Sequence, residues 1–234
     1  MFKLLSTANP KIQKGTKLGY LSFILHLAPA DLSGKETCPK RTVGCTAACL
    51  NTAGRGGMFK RGENTNMIQK ARIRKTNYFF NDRDQFMKDL YQDIVRAKKF
   101  ADKQGLIPVF RLNGTSDLSW EKYTVGTTDM NLFQLFPTVQ FYDYTKVLGR
   151  KTKMYPNYHL TFSKADGNDA DVAEALMQGM SVVAVYDAIP AGVPSADETD
   201  LRFLDPKGIM LGLKAKGRAK KDYSGFVIRL TELA

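Results

Sequence analysis

Short apolar runs recur along the chain, and most are followed at once by polar residues. Runs of this length, bounded by turn residues, predict β-strands rather than helices. The predicted strands are residues 18–28, 107–112, 138–142, 158–162, 181–186 and 208–213, with a last one at 226–230. The run at 181–186 is continuous in apolar residues, which is typical of parallel strands buried on both faces.

Helical periodicity is clear in two segments. Phe86, Leu90 and Ile94 recur at four-residue spacing after Asn81 and Asp82, which predicts an amphipathic helix that ends near Gly105. Residues 169–178 predict a second, shorter helix that Gly179 terminates. Residues 188–199, with two prolines and small polar residues, predict a surface loop.

The alternation of strand, polar loop and helix, repeated about six times, predicts an α/β fold with a parallel sheet. We expect a parallel (β/α) barrel related to the TIM barrel, as a single domain over residues 1–234; a doubly wound open sheet is the alternative. Because the polar loops follow the strands, they should meet at one face, where α/β barrels build their sites.

All three cysteines lie between Thr37 and Gly57, a loop that follows the first long strand. Cys38, Cys45 and Cys49 have the spacing C-x6-C-x3-C, and an odd number of cysteines cannot pair completely within one chain. Clustered thiolates favour an iron–sulfur cluster or zinc, and a structural zinc site needs a fourth ligand. The sequence therefore predicts a [4Fe-4S] cluster with one open iron, with zinc or no metal as alternatives.

Polar groups after other strands are candidate ligand contacts at the same face. The first group is Asn113, Gly114, Ser116 and Asp117, and the second is Lys214 and Lys216. We expect the first group to hydrogen-bond a polar cofactor and the second to bind a carboxylate or phosphate; capping of the loops and solvation are the alternatives. Asp143 and Lys146 are either a binding pair or a surface ion pair.

The formal net charge of +12 favours anionic partners such as nucleic acid or an anionic cofactor, although a solvated basic surface explains it equally well. Basic residues concentrate in 55–75 and 207–221, so the alternative function is a nucleic-acid-binding module with a structural zinc or no metal. No apolar run reaches eighteen residues and the start lacks the apolar region of a signal peptide, so we expect no membrane span and a cytoplasmic location.

Several segments together resemble a protein family of tailed bacteriophages, the gene product 88 family. The resemblance rests on Cys38–Cys49, Arg111–Asp117, Phe141–Lys146, Asn157–Ser163, Leu201–Pro206 and Gly212–Gly217. It covers most of the chain and implies a phage protein made in the cytoplasm of the bacterial host, without implying an activity.

A strand followed by a three-cysteine loop and a parallel barrel is also similar to the radical SAM enzymes. That resemblance implies a partial barrel, Cys38, Cys45 and Cys49 as cluster ligands, and S-adenosylmethionine on the open iron. It also implies cofactor contacts from Asn113–Asp117. The usual spacing in that family is C-x3-C-x2-C, so the loop departs from it. The chain is thus expected to be an iron–sulfur protein with a small-molecule ligand or an electron donor as partner. Whether it is an enzyme stays open, as does its oligomeric state.

Overall fold

The computed structural model describes residues 3–7, 14–60 and 64–230. Eight strands in these ranges form one sheet. The strands are β1 (Leu5–Ser6), β2 (Tyr20–Leu25), β3 (Ile107–Arg111), β4 (Gln140–Thr145), β5 (Tyr158–Ser163), β6 (Val182–Tyr186), β7 (Met210–Lys214) and β8 (Val227–Ile228). The helices are α1 (Val43–Ala47), α2 (Met67–Asn81), α3 (Arg83–Asp102), α4 (Leu132–Leu135) and α5 (Asp169–Met177).

The six strands β2 to β7 are parallel and stand side by side in the order in which they occur along the chain. The short β1 pairs antiparallel with the outer edge of β2. β5 pairs with the beginning of β6, where Phe162 lies opposite Val182, and β8 pairs in parallel with its end, where Val227 lies opposite Val185. The α/β class and the parallel sheet predicted from the apolar runs are therefore confirmed.

The prediction that a helix follows each strand is wrong for two connections. Residues 146–157 between β4 and β5 contain no α-helix, and residues 187–209 between β6 and β7 contain only a 3-10 turn at Arg202–Leu204. Conversely, α2 was not predicted as a separate element, and the basic stretch 55–75 runs through its first half. The two predicted helices are present as α3 and α5.

One face of the sheet packs against α2 and α3. Phe79 of α2, Phe86 of α3 and Trp120 are all fully buried in this layer, and the rings of Phe79 and Trp120 are 5.4 Å apart. The only tryptophan is therefore a core residue, as expected from its size and hydrophobicity.

The opposite face of the sheet curves around a cavity. Six parallel strands about 4.8 Å apart would span roughly 24 Å if they lay flat. Yet Ile24 on the first of them and Lys214 on the last line the same cavity of about 420 Å³. The curvature is what brings the carboxyl ends of all six strands to one site.

Part of the predicted surface loop 188–199 lies inside this curved face instead. Ser195 bridges to Gly212 of β7, Ala196 is fully buried, and Leu201 further along packs against Val109 and Tyr142. The small residues there allow the close approach, which the turn-rich composition did not reveal. The described residues contain no helix that is both long and apolar enough to cross a membrane.

Candidate functional site

The cavity opens at the carboxyl ends of the parallel strands, and its wall joins segments far apart in sequence. The cysteine loop, the loop after β3 and the ends of the parallel strands all line it. Among the lining residues are the sequence-predicted Cys38, Cys45, Cys49, Asn113, Gly114, Ser116, Asp117, Lys214 and Lys216. All of the candidate site residues are therefore brought to one place.

The three cysteines are held by short local structures. Cys45 lies on α1, whose N-cap residue Thr42 accepts a hydrogen bond from the Cys45 amide at 3.1 Å. Cys49 precedes a 3-10 turn, and its Sγ accepts from the Asn51 amide at 3.5 Å. Cys38 Sγ accepts from the amide of Ala30 at 3.4 Å. None of the three is in a disulfide.

The thiols share the cavity without forming a finished metal site. Among the described residues, no group of three or more histidine, cysteine, aspartate or glutamate side chains is arranged to hold a metal ion. Burial raises the pKa of Cys38 to about 11 and also raises the pKa of Cys49, so both are neutral thiols at pH 7 in this arrangement. Metal binding here would have to displace protons and turn the thiols toward one another.

A carboxylate distant in sequence anchors α1. Asp166, in the loop after β5, accepts hydrogen bonds from the Gly44 amide at 3.0 Å and the Cys45 amide at 3.2 Å, and a third from the Thr42 hydroxyl. These donors are at the N-terminus of the helix, where a negative charge is favourable. Asp166 thereby fixes the position of Cys45 relative to β5.

Two cations face the cysteines. Arg72 of α2 donates from Nη1 to Asn51 in the cysteine loop, and its buried Nε has no hydrogen-bond partner among the residues that the structure describes. Within the described ranges it pairs with no carboxylate, and burial lowers its pKa, an effect that negative charge on Cys49 would oppose. Lys146 lies at the end of β4; burial lowers its pKa, but the neighbouring Cys45 and Asp117 side chains outweigh burial, so the net shift of the pKa is upward.

The expected pair of Asp143 and Lys146 does not form. Asp143 points to the opposite side of β4, where it is fully buried and accepts from the Asn113 amide at 2.7 Å and from the Tyr158 hydroxyl at 2.9 Å. Consecutive positions of a strand point to opposite faces, and Lys146 lies just past the strand end, so the two were never on one surface. Burial raises the pKa of Asp143 to about 7.

The polar loop after β3 shapes the cavity mainly through its own internal bonds. Asn113 Oδ1 accepts from Ser116 Oγ at 2.9 Å and from Trp120 Nε1 at 3.0 Å. The side chains of Asn113 and Ser116 are therefore hydrogen-bonded within the loop itself. Asp117 accepts from the Lys146 amide at 2.8 Å. Gly114 is required by close packing, since a Cβ there would lie 2.7 Å from the carbonyl oxygen of Leu25. The predicted contacts of this loop with a cofactor stay a prediction.

The second predicted group lies at the mouth of the cavity. Lys214 is exposed at the end of β7, and its amide donates to Asp197 Oδ2 at 2.8 Å. Lys216 is also exposed and forms an ion pair with Asp197. Each lysine therefore keeps an ammonium group at the rim, where an anionic ligand could reach it.

A profile of the gene product 88 family matches residues 3–230. The chain belongs to this family. The match confirms the resemblance to the phage protein family that the sequence segments indicated, and it spans both the cysteine loop and the end of the sheet. No curated protein and no solved structure matches the chain, so the resemblance to radical SAM enzymes gains no support from these comparisons.

Sequence reasoning missed a polar group on the cavity floor of this gene product 88 protein. Arg111 Nη1 donates to Asp200 Oδ2 at 2.8 Å, and the guanidinium lies 4.7 Å from the ring centre of Tyr144. A charged residue at the end of an apolar strand, on the cavity-facing side, was the available signal for Arg111. Nothing in the sequence links it to Asp200, which lies 89 residues further on.

His26, just past the end of β2, lies on the cavity wall. Its Nδ1 is 3.5 Å from Ser6 Oγ, and that hydroxyl donates to the carbonyl of Ile24. Burial, followed by the charges of Arg72 and Arg111, lowers the pKa of His26 to about 3, so the ring is neutral at pH 7.

Proposed function

We propose that this phage-family protein holds one [4Fe-4S] cluster through Cys38, Cys45 and Cys49, with one iron open to the cavity. The observation that carries the proposal is that three thiols and two cations, Arg72 and Lys146, meet on one wall of a ligand-sized cavity. A buried cation without a carboxylate partner is costly, and a thiolate-held cluster supplies the missing negative charge.

The donor set fits such a cluster in chemistry and in number. Three sulfur ligands from one loop would leave one iron of the cluster without a protein sulfur ligand. When bound, the cluster would supply single electrons and an open coordination position, at which S-adenosylmethionine binds in radical SAM enzymes. The roles of the chain would be to anchor α1 through Asp166 and to balance charge through Arg72 and Lys146.

The fold that we propose around this site is an open (β/α) barrel of the radical SAM type. Its support is the unbroken parallel order from β2 to β7 and the single cavity that these strands line. In the described part of the chain, the ladders do not join β7 to β1 or β2, so the sheet is open there.

The test is metal and sulfide analysis of protein purified or reconstituted without oxygen. About four irons and four sulfides per chain, with a broad absorption band near 400 nm, are expected from a thiolate-held cluster. Cys45→Ala should abolish the band, whereas Ser33→Ala, a change of one exposed hydroxyl in the turn before the cysteines, should leave it unchanged. A colourless protein with no bound iron would refute the proposal.

The same preparation separates the enzymatic version from a purely redox one. Dithionite and S-adenosylmethionine should yield 5′-deoxyadenosine if the open iron binds that cofactor. A reversible reduction with no product and no cofactor binding would leave an electron-transfer or sensing protein.

Zinc is the second candidate metal, and His26 is the residue that favours it. The ring lines the same cavity as the thiols, and its Nδ1 lies 3.5 Å from Ser6 Oγ, whose hydroxyl donates to the carbonyl of Ile24. With its proton on Nδ1, the neutral ring would offer Nε2 to a metal. Zinc at one equivalent per chain, lost in His26→Gln as well as in Cys45→Ala, would establish this version.

A further inference from the structure

The rim of the cavity on the β7 side carries a dense group of exposed cations. They are Lys214, Lys216, Arg218, Lys220 and Lys221, five positive charges within eight residues. The last three lie on a 3-10 helix, Gly217–Lys221, whose Ala219 lines the cavity. We call this set of five residues the basic rim.

The carboxylates near the basic rim leave most of it without a counter-charge. Asp197 forms an ion pair with Lys216. Asp222 is buried and accepts from Ser224 Oγ at 2.7 Å and from the Val227 amide at 3.0 Å. Its carboxylate is therefore hydrogen-bonded within the fold and does not pair with the basic rim. In the described ranges, Arg218, Lys220 and Lys221 form no ion pair.

Two aromatic side chains adjoin the basic rim. Tyr223 is 76% exposed, with the guanidinium of Arg229 held 4.3 Å from its ring centre. Phe226 lines the cavity itself. Cations that follow a backbone, together with exposed aromatic faces, are the combination with which proteins bind unpaired nucleotides.

We propose that the basic rim binds the phosphodiester backbone of a single-stranded nucleic acid, with Tyr223 as a stacking surface for its bases. A single strand fits better than a duplex, because the cations lie on a strand end and one five-residue turn rather than on a helix long enough to enter a major groove. The proposal does not depend on whether the cavity holds a metal.

The size of the effect follows from counterion release. Five cations can neutralise at most five phosphates, which gives a slope of about −3.5 for log affinity against log salt on a single strand. At about 0.1 M salt each lost contact removes a factor of about 5 in affinity, so the loss of three contacts weakens binding about 100-fold.

The experiment is fluorescence anisotropy with a labelled oligothymidylate of about 15 nucleotides, measured over a range of salt concentrations. R218E/K220E/K221E should weaken binding about 100-fold or more and reduce the slope by about 2. The control is K99E/K103E/K207E, which makes the same change in charge at exposed positions near the amino ends of β3 and β7, away from the cavity mouth. It should bind nearly as the unaltered protein does. Circular dichroism checks that both variants are folded.

One further variant and two competitors identify the kind of ligand that binds. Tyr223→Ala should weaken binding with little change in the salt slope, because stacking releases few ions. A duplex of the same sequence and thymidine monophosphate should both compete poorly. Equal losses in the two triple variants, a flat salt response, no binding at all, or equal affinity for the duplex or the mononucleotide would each overturn the proposal.

Binding is to be measured before and after treatment with iron and sulfide. Comparable affinity in both states is expected. A protein that forms no cluster yet binds the oligonucleotide refutes only the iron–sulfur proposal, and a protein that forms the cluster without binding the oligonucleotide refutes only this one.

Discussion

Replacing Asp166 with alanine should release the helix that carries Cys45. Its carboxylate is the acceptor for the Thr42 hydroxyl and for the Gly44 and Cys45 amides. Hydrogen bonds to an ionised group contribute about 1.5–3 kcal/mol each, but Asp166 is partly exposed and water would replace much of that. A five-residue helix is not stable by itself. We therefore expect Asp166→Ala to lower the free energy needed to open α1 locally by about 2 kcal/mol.

The assay is amide hydrogen exchange on the metal-free protein. A change of about 2 kcal/mol corresponds to about 30-fold faster exchange of the Gly44 and Cys45 amides in Asp166→Ala. The matched control is Asp169→Ala, three residues away, which removes a carboxylate whose side chain is 74% exposed and which pairs with Lys164 at 3.0 Å. That control should leave both amides unchanged.

The reasoning fails if the two variants exchange alike at Gly44 and Cys45. A uniform acceleration that includes the strand amides would also refute it, since that pattern reports global destabilisation rather than release of α1. If the cluster forms, Asp166→Ala should lose iron to a chelator faster than Asp169→Ala, because Cys45 is then less firmly placed.

The sheet could be predicted from the sequence because its signal is local. Parallel strands covered on both faces need continuous apolar runs, and residues 182–186 and 158–163 lie within about two residues of the predicted bounds. The location of the cysteine loop followed from the same signal, since it comes directly after the run that forms β2.

The helix α2 could not be found in this way because its pattern is weak. Only Gln69, Thr76 and Phe79 of its fifteen residues are buried, and two of these are polar. Its apolar Met67 is exposed. Periodicity predicts a helix only when the buried stripe is apolar, and here the stripe is partly held by hydrogen bonds, such as that from the Ala28 amide to Thr76 Oγ1 at 2.8 Å.

The polar contacts of the site could not be predicted because they are long-range. Asp166 reaches Cys45 across 121 residues, and Asp200 reaches Arg111 across 89. The curvature of the sheet brings these side chains together, and segment 195–204 packs against the same face through Ser195 and Leu201, which no local propensity indicates. The sequence therefore predicted the three candidate sulfur ligands, while the groups around them could be found only from the structure.

Two further predictions test the packing and the buried carboxyl group beneath the site. Gly114→Ala places a methyl group 2.6 Å from Ile24 Cγ2 and 2.7 Å from a backbone oxygen, so it should lower the free energy of unfolding by about 1–3 kcal/mol in urea titration. Gly15→Ala, whose nearest contacts would be an ordinary 3.6 Å, is the control that should change it little. Asp143→Asn tests the buried carboxyl, whose pKa burial raises to about 7 from about 4 in the unfolded chain. A raised carboxyl pKa means that the folded state binds the proton more tightly than the unfolded state does. The stabilisation of the fold by this proton is therefore fully present below a pH of about 4 and is lost as the pH rises through 7. Asparagine mimics the protonated form, so relative to Asp143→Asn the unaltered protein should lose about 3 kcal/mol between pH of about 5 and about 8. Parallel stability curves for the two proteins over that range would show that Asp143 is ionised in the fold at a cost that its two hydrogen bonds fully offset.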